Sequence, residues 1–240
     1  MLVIEFGCVT VTCVGPNVEE QPFRTVGLMI KLRDLITEVA WFRNLRKDGS
    51  TWMMTSGPEH KPKETKIPNL NIICSTLDLA ASEIELAEMD NRENIMKNIL
   101  NKIVGYDYLF IDCPPALGLL TINSLVASDS VIVPLQCEFF ALEGLSALTS
   151  TIETIKSNLN PQIQIEGVVL TMYDKRNSLS ALVEEDVRGH FGKKVYKTVI
   201  PRNVRISEAP SHGKPVLIYD TSCVGSMAYI GLAKEEILNQ

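Results

Sequence analysis

From about residue 64 onward, short apolar and β-branched runs alternate with longer segments in which apolar residues recur every three or four positions. The short runs predict strands at residues 70–74, 108–111, 130–135, 167–171, 195–200 and 216–219. The longer segments predict helices over residues 84–103, 142–155, 179–187 and 228–238. Continuous apolar strands that alternate with helices are typical of a parallel sheet covered on both faces. The pattern therefore predicts a doubly wound, mostly parallel α/β fold.

The first 63 residues follow this pattern poorly. Residues 9–14 (VTVTCV) predict one strand, and the spacing of apolar residues predicts a helix over residues 28–45. Residues 47–66 are polar, are interrupted by Pro58 and Pro62, and predict a loop. We therefore divide the chain into a divergent N-terminal segment, residues 1–63, and one α/β domain, residues 64–240.

Composition narrows the class of protein. The chain has 240 residues, of which 45% are hydrophobic and 22% charged, and this excludes a disordered or fibrous protein. The net charge of −6 disfavours wholesale coating of nucleic acid and leaves room for a local basic site. No apolar run approaches the roughly 20 residues needed to span a bilayer. The apolar stretch near the start contains Glu5 and follows no basic segment, so we expect no signal peptide and a cytoplasmic protein.

One candidate site residue stands at the end of a predicted strand. In open α/β sheets, ligands bind outside the carboxyl ends of the strands, and Asp112 directly follows the apolar run 108–111. A carboxylate there can hold Mg²⁺ directly or through water, as a Walker B aspartate does. An ordinary strand-end aspartate fits the same pattern, but the Cys113-Pro114-Pro115 run that follows is more specific.

This run opens a series of motifs that resembles the ParA/Soj-type chromosome-partitioning ATPases of the MinD/ParA superfamily. The motifs are residues 112–123 (DCPPALGLLTIN), 133–145 (VPLQCEFFALEGL), 166–174 (EGVVLTMYD), 195–205 (VYKTVIPRNVR) and 207–215 (SEAPSHGKP). Residues 67–70 (IPNL) and 84–86 (IEL) also look like the family. The resemblance covers residues 64–238 and implies the fold of a P-loop NTPase.

The resemblance also implies a role for individual residues. Asp112 matches the Walker B acid, which holds Mg²⁺ mostly through water. The switch loop that responds to the γ-phosphate of ATP begins at Cys113, Pro114 and Pro115. The residues that match positions around the nucleotide base are Met172, Pro201 and Asn203.

The family's partners are implied in the same way. ParA/Soj proteins form an ATP-bound homodimer on nonspecific DNA, and a ParB-type partner stimulates hydrolysis and release. Arg176 and Arg205 match family positions that contact DNA phosphates, and such contacts carry little sequence information. The protein is then expected in the cytoplasm and, when functional, on the nucleoid.

The chain departs from the family at its most characteristic motif. No G-x-x-x-x-G-K-[ST] occurs anywhere, and the two Gly-Lys pairs, Gly192-Lys193 and Gly213-Lys214, are followed by Lys194 and Pro215. Without this Walker A loop there is no cluster of backbone N–H donors and no lysine to bind the phosphates. In addition, residues 221–226 (TSCVGS) lack the basic residues that are common in the family, which predicts weaker DNA binding.

Two hypotheses follow. In the first, the chain is by descent an ATP-dependent DNA-binding dimer switch of the partitioning family, with ATP binding and hydrolysis impaired by the missing Walker A motif. In the second, it is a non-catalytic remnant that acts only as a binding module. Residues 1–63 are either the product of a frame-shifted gene or a real adaptation, and the sequence leaves ATPase activity itself open.

Three other functions fit less well. A membrane-patterning relative is expected to end in a basic amphipathic helix, but residues 228–238 carry acids and one lysine. An iron–sulfur reductase needs paired cluster cysteines, which the scattered cysteines do not provide. A thiol hydrolase would need a base within hydrogen-bond reach of Cys113, and His212 is the candidate for it.

Overall fold

The computed structural model describes residues 10–14, 24–29, 63–64, 67, 69–73, 78–103, 106, 108–113 and 117–238. These residues group into two compact units. The first lies within Phe6–Val131 and Ile152–Gln164, and the second within Ile132–Thr151 and Ile165–Gln240.

In the residues that the structure describes, the first unit contains five neighbouring strands. They are β1 (Thr10–Val14), β2 (Arg24–Met29), β3 (Lys63–Glu64), β4 (Leu70–Ile73) and β5 (Tyr108–Cys113), in the spatial order β3-β4-β1-β5-β2. Strand β2 runs parallel to β5, whereas β1 is antiparallel to both β4 and β5. Strand β3 is antiparallel to β4 as well. This part of the sheet is therefore mixed, and its two antiparallel strands, β1 and β3, lie within residues 10–64. The proposed boundary after residue 63 stays a prediction.

Within the described part of this unit lie the helices α1 (Asp78–Ala87), α2 (Ile95–Leu100) and α3 (Leu119–Ala127). The core of the unit includes Leu109 and Ile111 of β5 and Leu125 of α3, all of which are buried. Asn160 closes the C-terminal end of α3, because its side-chain amide donates to the carbonyls of Leu125 at 3.0 Å and Ser128 at 2.8 Å.

The second unit holds most of β6 (Ser130–Gln136) and β7 (Gln164–Thr171), which are neighbours in the sheet. Its helices are α4 (Ala141–Asn158), which continues into the first unit, α5 (Ser178–Phe191), α6 (Val204–Glu208), α7 (Val216–Tyr219) and α8 (Val224–Leu238). In the part of the chain that the structure describes, no helix is both long and apolar enough to cross a membrane.

Helix α8 fixes the segment that runs beside β7. The Glu235 carboxylate accepts hydrogen bonds from the backbone N–H groups of Lys197 at 2.7 Å and Thr198 at 2.9 Å. The Tyr196 hydroxyl donates to the buried Glu236 carboxylate. Gly167 of β7 leaves room for the Tyr196 ring, since a Cβ at residue 167 would lie 2.3 Å from a ring carbon. The 195–200 segment is thus held from both sides.

Most of the predicted elements are confirmed. Strands occur at β1, β4, β5, β6 and β7, and helices at α4, α5 and α8. The predicted helix over residues 84–103 is two helices, α1 and α2, with a 3₁₀ turn at Arg92–Asn94 before the second. Leu28, where a helix was predicted to begin, lies instead in β2, and residues 30–45 lie outside the described residues. The segment predicted as a loop, residues 47–66, contains β3. Its residues 47–62 and 65–66 also lie outside the described residues.

Two strand predictions are wrong. Residues 216–219 form helix α7, because the carbonyl of Pro215 accepts from the N–H groups of Ile218 and Tyr219, both at 2.9 Å. A four-residue apolar run does not distinguish a helical turn from a strand. Residues 195–200 do not form a continuous strand. The Tyr196 backbone N–H donates to the carbonyl of Val168, and Val195 makes an isolated parallel bridge to Val168.

Candidate functional site

Asp112 lies near the carboxyl end of β5, as the sequence predicted. The residue is 7% exposed, and its backbone is level with Leu28 of the parallel neighbour β2. A buried carboxylate at this end of a strand can accept hydrogen bonds or hold a hydrated cation. The Walker B role of Asp112 stays a prediction.

Cys113 is a buried thiol and is unsuited to nucleophilic chemistry. Burial is the main cause that raises its pKa to about 12; a hydrogen bond with Ser124 acts in the opposite direction, and the neighbouring charge of Asp112 adds to the rise. The thiolate is the reactive form of cysteine, so this side chain is inert at neutral pH. This disfavours a thiol hydrolase. Pro114 and Pro115, predicted to open the switch loop, lie outside the described residues.

The N-terminus of α3 is capped by a carboxylate from another helix. Gly118 precedes α3 and has no side chain to cap it, and the Leu120 N–H donates to Oε1 of Glu83 on α1 at 3.2 Å. A Cβ at residue 118 would lie 2.2 Å from the same oxygen. A negative charge at a helix N-terminus also interacts favourably with the helix dipole. Glu83 therefore fixes the helix that follows the predicted switch loop.

The sequence pattern did not point to Glu83. The signal that could have found it is the glycine before α3, because a helix that lacks its own capping side chain needs an acceptor from elsewhere.

Asn123, the last residue of the 112–123 motif, ties α3 to α2. Its buried side chain donates to the Arg92 carbonyl at 2.8 Å and accepts from the Met96 N–H at 3.1 Å. The latter contact satisfies an amide in the first turn of α2. This part of the motif is explained by packing between two helices.

The three residues predicted to border a nucleotide base lie on two adjacent loops of the second unit. Met172 follows β7 and has a left-handed backbone with φ of 53°, which is unusual for a residue with a Cβ. The Tyr173 backbone N–H donates to the Ile200 carbonyl at 3.1 Å, and Tyr173 makes a parallel bridge to Pro201. The side chain of Asn203 accepts from the Arg205 N–H at 2.8 Å and so caps α6.

Arg176 lies on the first of these loops and is paired with Asp174. Two contacts form a fork, Nε to Oδ1 at 3.1 Å and Nη2 to Oδ2 at 2.9 Å, and the Arg176 backbone N–H donates to Oδ1 at 3.0 Å. These hydrogen bonds lower the pKa of Asp174 to about 2. The arginine side chain itself is 90% exposed.

Arg205 lies on α6, just after the second loop, and contacts two carboxylates. Its Nη1 is 2.9 Å from Oε2 of Glu208, and its Nε is 3.5 Å from Oδ2 of Asp220. The Tyr219 hydroxyl reaches the same Glu208 oxygen at 3.4 Å. Both arginines predicted to bind DNA are therefore ion-paired within the second unit.

The residues present fit a nucleotide only in part. Asp112 is a suitable ligand for hydrated Mg²⁺. Strand β2 ends at Met29, and the next residues in the sequence, Ile30-Lys31-Leu32-Arg33, contain no glycine with which to form a phosphate-binding loop. Among the residues that the structure describes, no group of three or more His, Cys, Asp and Glu side chains could hold a metal ion.

The chain is similar to a known family model and to curated partitioning proteins. The family model AAA_31, described as an AAA domain, matches residues 36–165. The chromosome partitioning protein ParA of Caulobacter vibrioides is 56% identical over 177 residues, which are 72% of this chain and 66% of that protein. The sporulation initiation inhibitor protein Soj of Bacillus subtilis is 53% identical over 178 residues, 74% of this chain and 70% of Soj.

A solved structure shows the same fold. Cobyrinic acid a,c-diamide synthase from Mycobacterium smegmatis is 34% identical with a TM-score of 0.56, over 67% of this chain and 59% of that one. Its complex with an ATP analog and magnesium is 39% identical over 54% of each chain, with a TM-score of 0.50.

The predicted fold class is confirmed by these structural neighbours, which are P-loop NTPases. The chain spans about two thirds of the length of the ParA and Soj proteins that it matches. On this evidence the chain belongs to the ParA/Soj-type partitioning ATPases of the MinD/ParA superfamily.

Proposed function

We propose that this chain is a partitioning protein of the ParA/Soj family that retains a DNA-binding surface and is impaired in ATP binding and hydrolysis. The observation that carries the proposal is the combination of a strand-end Asp112 with the lack of any G-x-x-x-x-G-K-[ST] sequence. The Mg²⁺ ligand is kept, while the residues that would bind the phosphates are missing.

The physical reason lies in the charge of the triphosphate. A Walker A loop offsets that charge with a lysine and with backbone N–H groups that converge at a helix N-terminus. Asp112 adds a negative charge, so it helps only when Mg²⁺ is already bound to the phosphates. Relatives' complexes with nucleotide and magnesium support ATP and Mg²⁺ as the family's cofactors, and we expect this chain to bind them weakly.

The proposed DNA surface consists of the loop that carries Arg176 and the α6 start that carries Arg205. Backbone hydrogen bonds of Tyr173 hold the two loops together. Two arginines provide few phosphate contacts on a chain of net charge −6, so binding should be weak, nonspecific and sensitive to salt.

The partners proposed for this chain are those of the family: nonspecific DNA on the nucleoid, a ParB-type partition protein and a second copy of the chain. Because family dimers form across the nucleotide, loss of the phosphate site should weaken self-association. The alternative, that the chain is an ATP-driven dimer switch like its relatives, predicts the reverse.

Size-exclusion chromatography and DNA binding, each with and without ATP and Mg²⁺, separate these possibilities. We expect a largely monomeric protein and DNA affinity that is the same in both conditions. Arg176→Ala with Arg205→Ala should reduce that affinity. A nucleotide-dependent dimer with nucleotide-dependent DNA binding would contradict the proposal.

The origin of residues 1–63 is tested separately on the gene. If no alternative reading frame across codons 1–63 encodes a Walker A loop, the frame-shift explanation is wrong and an adapted N-terminal segment remains.

A further inference from the structure

We propose that Asp174, Glu208 and Asp220 mask the DNA-binding arginines, competing with DNA phosphates for the guanidinium groups and so setting the strength of DNA binding. The inference rests on the proposed DNA role of Arg176 and Arg205 and concerns the regulation of that surface.

The first mask is the Asp174–Arg176 pair. An arginine binds a phosphate through two parallel N–H groups, and it binds a carboxylate with the same geometry. In this structure Asp174 already occupies two such donors, at 3.1 Å and 2.9 Å. The carboxylate is held in place by the Arg176 backbone N–H as well, so it stays beside the guanidinium. A phosphate must displace it to make a fork-like contact through these two donors. A phosphate at the other edge of the guanidinium meets a positive charge that the carboxylate already offsets.

The second mask is the pair of carboxylates around Arg205. Glu208 is three residues further along the chain, one turn away on α6, and Asp220 follows α7. Asp220 is itself fixed, because its Oδ1 accepts from the backbone N–H groups of Ser222 at 3.2 Å and Cys223 at 3.1 Å. Arg205 thus has one acidic partner from its own helix and one from an anchored turn.

The masks are weak enough to be displaced. All five charged groups are at least partly exposed, and ion pairs between exposed groups contribute little because water and salt screen them. Each carboxylate also repels an approaching phosphate. Both effects lower DNA affinity without abolishing it.

The test measures DNA affinity of full-length variants that replace each carboxylate by its amide. Asp174→Asn unmasks Arg176, and Glu208→Gln with Asp220→Asn unmasks Arg205. The amides keep the oxygen that accepts the backbone N–H groups of residue 176 and of residues 222 and 223. Matched controls are Glu185→Gln and Glu185→Gln with Asp186→Asn, which remove the same charge from exposed positions on α5.

We expect each unmasked variant to bind a nonspecific duplex more tightly than its control, by about twofold to fivefold for each carboxylate. The slope of log affinity against log salt should steepen by about 0.9 for each additional phosphate that the arginines bind. Arg176→Ala should cancel the tighter binding of Asp174→Asn. A loss of stability would not tighten binding, so the result separates masking from a merely structural role.

Different failures have different meanings. If the arginine variants bind DNA as tightly as the unmodified chain does, the proposed DNA surface is wrong and this inference fails with it. If they weaken binding but the amide variants match their charge controls, only the masking is wrong. The same holds if the tighter binding of Asp174→Asn persists when Arg176 is replaced by alanine.

Discussion

The end of β5 and the paired loops of the second unit hold their candidate residues in opposite ways. Asp112 and Cys113 are buried, and burial makes the Cys113 thiol unreactive. Arg176 and Arg205 are exposed, and their chemistry is limited by the carboxylates beside them. A buried strand keeps a site residue in place through the packing around the strand itself. An exposed loop keeps its residues only through specific hydrogen bonds, here those of Tyr173, Glu235 and Glu236.

The largest loss of stability is expected for Gly167→Ala, which disturbs the packing of β7 against the 195–200 segment of the second unit. The added Cβ would lie 2.3 Å from the Tyr196 ring, and the ring cannot move freely because its hydroxyl is bonded to Glu236. Overpacking of this kind costs about 1 to 3 kcal/mol. Chemical denaturation should show the loss of unfolding free energy. Gly144→Ala is the control, since nothing lies within 4 Å of a Cβ there.

The next largest loss of unfolding free energy is expected for Tyr196→Phe. It removes only the hydroxyl and leaves the buried Glu236 carboxylate without one of its donors, at a cost of about 1 to 3 kcal/mol. The same denaturation experiment measures it. Equal stability of Tyr196→Phe and the unmodified chain would show that this bond does not hold the 195–200 segment.

A smaller effect is expected in the first unit for Glu83→Ala. The substitution removes the acceptor for the Leu120 N–H at the start of α3, and loss of a helix cap costs about 1 kcal/mol. Glu83→Gln keeps an oxygen acceptor and should cost less. If glutamine and alanine at residue 83 are equally destabilising, capping is not the role of Glu83.

The smallest effect is expected in the reactivity of the cysteines, which is measured on the unmodified chain. With its pKa raised to about 12, Cys113 should react slowly with iodoacetamide at pH 7, and no faster at pH 9 than its small thiolate fraction allows. Among the three cysteines whose burial the structure describes, Cys223 is half-buried and should react before Cys113 and Cys137. Peptide mapping by mass spectrometry follows each site separately. Rapid labelling of Cys113 in the folded protein would show that the β5 end is open.

Local patterns were enough to predict much of this molecule. The apolar run before Asp112 predicted a strand that ends in a carboxylate, and the period of α4 and α5 predicted both helices. The Arg205–Glu208 pair also has helical spacing. The contacts of Glu83 with Leu120 and of Asp220 with Arg205 join residues that are distant in sequence. Such contacts depend on tertiary packing, which hydrophobic periodicity does not encode.

The short segments were the least predictable. Four apolar residues at Val216–Tyr219 fit a strand or one helical turn equally well, and the hydrogen bonds to Pro215 decide for the helix. At Leu28, a helical spacing of apolar residues was overridden by parallel pairing of β2 with β5.

The central claim for this family member is that it lacks a working phosphate site. Equilibrium titration of the full chain with a fluorescent, non-hydrolysable ATP analogue in the presence of Mg²⁺ tests that claim directly, with Asp112→Asn as the comparison variant. We predict no saturable binding at micromolar analogue and the same result for Asp112→Asn. Micromolar binding that Asp112→Asn abolishes would contradict the claim and restore the ATP-driven switch.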